Sequence, residues 1–306
     1  MHSHGEPSRV SGRLRGSAHQ PAAHAARLVG FIHMGILLTL KDQPNVPLEA
    51  EAISPDALAT LSHDVIRALP IHLGKRQLRL DQFFDVEGEA SDDIELRGDL
   101  SRVKWIGKAM SRGRIKITGN VGMHLGSGMK GGVIEVAGNV SDWAGAEMTG
   151  GLLRIQGNAG GQIGAAYRGS LAGMNGGTIL VSGSAGLEVG MRMKRGLIAV
   201  GGPVRDFAGL QMKGGTIFLM QGAEIRAGAW MFRGTIVAFK PLKLLPTFAF
   251  ACTYEPTFLA LYARQLASLG WQLPSGGTFQ RYAGDGAVPG KGEILIHERR
   301  GQMTGA

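Results

Sequence analysis

Six basic side chains recur at one place in the pattern of this chain. Arg112, Lys130, Lys194, Arg195, Lys213 and Arg233 each stand one or two residues after a methionine. A repeating fold stacks such positions along one edge, where they make a ladder suited to a repetitive polyanion or an acidic protein surface. Exposed corner positions also favour Lys and Arg for solubility alone. Tyr167 and Arg168 lie in AAYRGSLAG (165–173), an irregular segment expected to project as a contact loop. Other strings imitate active sites only in letters. GSGMKG, with Gly126, Gly128 and Gly131, fits a dinucleotide pattern but is expected to lead into a strand rather than a helix. GDGAVPGKGE has Asp285 and Gly292 where a phosphate loop needs Gly and Ser/Thr, and reads as a surface turn. Cys252 has no CxxC partner and reads as a buried thiol. His124 and Trp143 occupy comparable places and read as packing or surface lining. No HExxH, GxSxG or paired-carboxylate signature occurs, and the local acid cluster is limited to Asp92, Asp93 and Glu95. No catalytic, cofactor-binding or metal-ligating residue is expected on this chain.

The element that positions the ladder is a repeat. Met110, Met129, Met148, Met174, Met193, Met212 and Met231 are separated by 19, 19, 26, 19, 19 and 19 residues. The exception is one period plus seven residues, and these fall within the irregular segment. Three residues after each methionine stands a glycine: Gly113, Gly132, Gly151, Gly177, Gly196, Gly215 and Gly234. Between glycines, pairs such as Ile115/Ile117, Ile134/Val136 and Ile217/Leu219 sit two apart and point to one face of a strand. A degenerate eighth unit begins near Ser91. A 19-residue period leaves no room for a helix, so each unit is expected to carry several short strands and coil once around an axis. The fold class is all-β: a right-handed parallel β-helix of seven to eight coils, with small α/β caps at both ends.

The expected organisation is a disordered extension over 1–33, which a start at Met34 would remove, and an N-terminal α/β cap over 34–90. The glycine-rich solenoid covers 91–240 and a C-terminal α/β extension 241–306. The first cap contains a strand at 35–41 and a helix from Ser54, Pro55 and Asp56 through Leu69. The second contains a helix over 256–269 stopped by Gly270.

Composition narrows the classes. Of 306 residues 49 are glycine, yet no three-residue period exists and Pro is only 12, which excludes collagen. No apolar run reaches the length of a membrane span. One cysteine excludes an internal disulfide and suits a reducing cytoplasm. The net charge of +9 is concentrated in 91–240, where eighteen basic and ten acidic side chains give +8, while 34–90 carry −4. Nucleic-acid binding would want aromatics interleaved with the basic residues, and these are missing.

GGVIEVAGNV, GGTILVSGSA and GMNGGTI resemble the glycine-rich repeat shared by two families. One is the C subunit of formylmethanofuran dehydrogenase, with its bacterial counterpart in the formyltransferase/hydrolase complex; the other is the C-terminal domain of the glutamate synthase large subunit. The tail FQRYAGDGAVPGKGEILI (279–296) is similar to the end of the C-subunit family. The resemblance implies a non-catalytic scaffold that associates with a formyltransferase subunit and an amidohydrolase-like metal subunit. It implies a complex that passes a formyl group from formyl-tetrahydromethanopterin to a methanofuran-type carrier and releases formate. A molybdenum or tungsten formylmethanofuran dehydrogenase is the alternative within the family. Such carriers bear glutamyl chains, so the resemblance also makes the basic ladder a guide for a polyglutamyl tether. A stand-alone glutamate synthase-like domain is disfavoured by the RYxGD tail. A carbohydrate lyase is disfavoured by the scarcity of clustered acids.

Overall fold

The computed structural model describes residues 35–274 and 276–298, so the extension expected over 1–33 lies outside the described residues. The N-terminal segment gives β1 (Ile36–Leu40), β2 (Leu48–Glu49), α1 (Pro55–Leu58), α2 (His63–Arg67), β3 (Pro70–Leu73), β4 (Arg76–Arg79) and β5 (Phe84–Glu87). The single helix expected through Leu69 is thus two short ones. Ser62 takes an extended conformation before α2, and Thr60 and Ser62 are residues that compete with helical backbone bonding.

The repeat supplies β6 (Asp93–Arg97), β7 (Val103–Lys104), β8 (Arg114–Ile117), β9 (Val133–Val136), β10 (Leu152–Ile155), β11 (Asn175–Val181), β12 (Arg195–Val200), β13 (Lys213–Leu219) and β14 (Arg233–Ala238). After it come β15 (Ala249–Tyr254), α3 (Leu259–Ser268), β16 (Phe279–Gly284) and β17 (Gly292–His297). Thirteen strands form one mostly parallel sheet in the order β15-β16-β17-β14-β13-β12-β11-β10-β9-β8-β6-β1-β5, while β4-β3-β2-β7 form a second. The β-branched pairs fix the register, since Ile115 lies opposite Ile134 and Ile198 opposite Ile217. A slip by one residue would turn these side chains out of the core. The inward residues of the pairs are 0–1% exposed from Ile115 to Leu219. Each unit contributes one strand to the large sheet and one further single-residue bridge, in the series Leu100, Val121, Val140, Ala159, Ala185, Val204 and Ala223, and the first unit adds β7 to the second sheet. This is fewer strands per unit than the period suggests, because the remaining residues are spent on turns.

The methionine–glycine pairing has a steric cause. All seven glycines after the methionines have positive φ, between 74° and 105°, a region costly for residues with a Cβ. Six of them, from Gly132 to Gly234, also receive the methionine of the preceding unit, whereas Gly113 packs against Asp92 and Pro55. A Cβ on Gly132 would stand 2.7 Å from the Cε of Met110, and one on Gly215 would stand 2.7 Å from that of Met193. All seven methionines are fully buried. A flexible thioether fills the space that the missing side chain leaves.

The outer face of the strands changes character along the stack. Glu95, Lys116, Glu135 and Arg154 occupy one registered row, and its continuation is Leu180, Ala199, Phe218, Val237 and Leu295. The charged part faces outward with alternating sign. The apolar part forms a second core under α3, whose Leu266 is fully buried and whose Tyr262 hydroxyl accepts from the Thr216 hydroxyl at 3.0 Å. The C-terminal helix starts three residues later than expected, and Gly270, at φ +72°, turns the chain away after it. Cys252, expected to be buried, is exposed because β15 is the outermost strand and has a neighbour on one side only.

Candidate functional site

The basic ladder divides in two. Lys194, Arg195, Lys213 and Arg233 line one open cleft of about 530 Å³ together with Asn175. Sheet register produces it: Asn175 lies opposite Arg195 and Lys213 opposite Arg233 at the entrances to β11–β14. Adjacent strands are about 4.8 Å apart, so cations on neighbouring strands lie side by side along the cleft. No acidic side chain lines the cleft, and none of its four cations forms an ion pair among the described residues. Four like charges held together without counter-charge favour an anionic chain. Arg112 and Lys130 do not line it. Arg112 acts instead on Asp56: burial opposes ionisation there, but hydrogen bonds from Ser111 and Ser54 and the Arg112 charge bring the carboxyl below its usual value.

The irregular segment is tied down at its ends and exposed at its tip: Ala165, Ala166 and Gly173 are buried, while Arg168, Gly169 and Leu171 are exposed. The Lys213 ammonium donates to the Leu171 carbonyl at 2.8 Å, and Arg192 donates to the Ser170 carbonyl at 2.6 Å. Tyr167 joins an aromatic stack. Trp105 and His124 are near-parallel with centroids 4.0 Å apart, His124 and Trp143 are 6.5 Å apart, and Tyr167 stacks on Trp143 at 4.9 Å. The Tyr167 hydroxyl lies 2.9 Å from His124 Nδ1 and 2.8 Å from Ser127 Oγ. Burial and the Lys104 and Lys108 charges push the His124 imidazole down to about 4 against the opposing Asp142, so the ring is neutral at pH 7. Burial raises the Tyr167 phenol, with Ser127 opposing, so it stays protonated.

Trp105, His124 and Trp143 are spaced by one period, and all three have φ of 65–67°. The same corner holds Gln162, Glu188, Phe207 and Arg226, also at positive φ. These pair in turn: Gln162 donates to Glu188 at 2.9 Å, and the Arg226 guanidinium lies 4.0 Å over the Phe207 ring. The strain of a left-handed residue, about 1–2 kcal/mol, is offset by stacking of about 0.5–1.5 kcal/mol per pair. Sequence spacing links His124 to Trp143 readily, and the same 19-residue step reaches back to Trp105. Tyr167 carries no such signal, because it joins the stack from the inserted segment.

GSGMKG does supply corners rather than a helix start: Gly126 and Gly128 have positive φ, and β9 follows. The GDGAVPGKGE string joins β16 to β17 as a turn, but Asp285 is directed inward and is 1% exposed. It accepts the Trp230 and Ala287 backbone N–H groups at 2.8 and 2.9 Å. Arg281 pairs with Glu293 at 2.7 Å, and Glu293 also accepts from Thr235. The tail motif therefore pins the terminal hairpin to the last unit of the repeat. Among the described residues, no group of three or more His, Cys, Asp or Glu side chains is placed to hold a metal ion, and no helix is long and apolar enough to cross a membrane.

No family model matches the chain. It is 44% identical over 96 residues to the C subunit of tungsten-containing formylmethanofuran dehydrogenase 2 of Methanothermobacter thermautotrophicus, covering 30% of this chain and 36% of that one. It is 43% identical over 95 residues to the C subunit of molybdenum-containing formylmethanofuran dehydrogenase 1 of Methanothermobacter marburgensis, covering 30% and 24%. The chain thus spans about a third or less of the length of these curated relatives. A chain in the crystal structure of the formyltransferase/hydrolase complex from Methylorubrum extorquens, solved in complex with methylofuran, superimposes with a TM-score of 0.80 and 35% identity. That match covers 86% of this chain and 100% of the other.

Proposed function

The chain belongs to the C-subunit family of formylmethanofuran dehydrogenase and the formyltransferase/hydrolase complex, and we propose that it is the non-catalytic scaffold subunit of a complex of the formyltransferase/hydrolase kind. The observation that carries this is the match over the full length of the solved neighbour at 35% identity. The dehydrogenase relatives match over a shorter stretch, which favours the hydrolytic version over the molybdenum or tungsten one. In this reading the partners are a formyltransferase subunit and an amidohydrolase-like metal subunit, and the complex works in the cytoplasm on tetrahydromethanopterin-linked one-carbon units, ending in formate. The exposed free thiol of Cys252 suits a reducing compartment.

The scaffold itself is read as a parallel β-helix over 91–240 between caps at 34–90 and 241–306. One strand and one bridge per period, both paired in parallel with their copies, support that geometry. A stack of this type is stiff, because every unit is hydrogen-bonded to the next, and stiffness is what a scaffold needs to fix two catalytic subunits at a set distance.

The cleft adds the second role: it guides the polyglutamyl chain of a methanofuran-type carrier. Four cations without acidic neighbours support this for Lys194, Arg195, Lys213 and Arg233. Arg112 and Lys130 extend the same edge toward the first units, and Tyr167 and Arg168 belong to the loop beside it. Replacing the four cleft cations by Gln is expected to raise the carrier Michaelis constant of the assembled complex and to flatten its salt dependence. Unchanged turnover and Michaelis constant would refute the guiding role while leaving the scaffold reading intact.

A further inference from the structure

The seven residues that lengthen one period link the aromatic stack to the cationic cleft, and we infer that this loop presets the cleft, with Tyr167 as a positioning residue for Lys213. The inference rests on the reading of the cleft as a site for an anionic chain. On one side the loop is anchored to units that precede it: Tyr167 stacks on Trp143, its hydroxyl meets His124 and Ser127, and its backbone N–H donates to Glu147 at 3.1 Å. Four residues later the Leu171 carbonyl accepts from Lys213, two units beyond the loop. Ser170 likewise accepts from Arg192, whose Nε donates to Gln211 at 2.7 Å.

This arrangement suits a preset cation. A lysine ammonium on its four-carbon stem otherwise samples many rotamers, and binding must order it. A neutral carbonyl orders it in advance without cancelling its charge. An ammonium has three donors, so two remain for an incoming carboxylate. Lys213 stands next to Arg233 in register and shares the cleft with Lys194 and Arg195, so fixing it fixes the middle of the row. The inserted residues are dispensable for the repeat itself, because every other interval between methionines is 19 residues. Removing 166–172 restores that interval.

The test measures binding of a fluorescently labelled oligoglutamate peptide to the full chain at low and physiological salt. Wild type is compared with Tyr167→Phe, the 166–172 deletion, Lys213→Gln, and Lys213→Gln combined with each loop change. The expected result is binding roughly three- to tenfold weaker for Tyr167→Phe and for the deletion, the size set by ordering one lysine. Neither change should weaken binding further once Lys213 is Gln. Circular dichroism should show the deletion variant folded, and Trp fluorescence should report the loss of the hydroxyl's contacts to His124 and Ser127 in Tyr167→Phe, whose ring still stacks on Trp143. Loop variants that bind like wild type while Lys213→Gln binds weakly would overturn the inference and leave the cleft standing. Loop effects of equal size with Lys213→Gln present would also overturn it, since the loop would then act elsewhere. If wild type and a variant with all four cleft cations changed to Gln bind the peptide equally, the cleft reading itself falls.

Discussion

Gly215→Ala probes a contact that six successive units of this molecule repeat. Gly215 has φ +86°, and an added Cβ would stand 2.7 Å from Met193 Cε and 3.0 Å from the Gly196 carbonyl oxygen. The left-handed conformation costs about 1–2 kcal/mol for a residue with a Cβ. Moving a buried methionine out of a packed position costs about 1–3 kcal/mol more. Together these come to about 2–5 kcal/mol. Met193→Ala alone should cost about 2–5 kcal/mol through the cavity it leaves. The double variant separates the two causes: the added methyl enters space the methionine has vacated, so it should be more stable than the sum of single effects by about 1–2 kcal/mol, with the backbone strain remaining. The assay is urea unfolding followed by circular dichroism and tryptophan emission, with the slopes compared to verify that the same surface unfolds. A Gly215→Ala cost below about 0.5 kcal/mol would refute the steric account of the methionine–glycine pattern. Additivity of the two changes would refute the contact between them.

Three further outcomes follow from the site geometry. His124 titrates near 4 when folded and at 6.5 when not, so the unfolded chain binds the proton first and stability falls as pH drops from 6.5 towards 4. The two pKa values set an upper limit of about 3 kcal/mol, reduced to about 1 kcal/mol because the ring is partly exposed; His124→Gln should flatten that part of the pH profile measured by thermal unfolding, and an unchanged profile would contradict the burial of the neutral ring. Asp285→Ala leaves the Trp230 and Ala287 N–H groups without their acceptor and should cost about 2–4 kcal/mol, read by urea unfolding; a loss under about 0.5 kcal/mol would contradict its pinning role. Cys252 should react with a thiol reagent in the native isolated chain as fully as in denaturant, and protection in the isolated chain would contradict its position on the open edge strand.

Much of the fold is legible because one period imposes one environment on many residues. Ile115, Ile134, Ile198 and Ile217 repeat a buried place, and repetition makes their shared environment readable where a single isoleucine would not. The second core is less visible. Leu180, Ala199, Phe218 and Val237 sit where earlier units carry Lys116, Glu135 and Arg154, and the change from charge to apolar side chains is the trace of α3 lying over them. That trace depends on which distant segment returns, which a local pattern does not contain. The cleft is partly legible. The methionine-adjacent positions identify its four cations, but spacing alone also includes Arg112 and Lys130, which lie outside the cleft. The role of Tyr167 is hidden because its partners, His124 and Ser127, lie 43 and 40 residues away.

Membership in a formyl-transfer complex is tested most directly by weighing the native assembly intact from its own cells and identifying its components. The expected result is a stable assembly containing this chain with a formyltransferase subunit and an amidohydrolase-like metal subunit. A molybdenum- or tungsten-pterin subunit in their place would move the chain to the dehydrogenase version. A stable, soluble monomer with no companion would contradict the scaffold role outright.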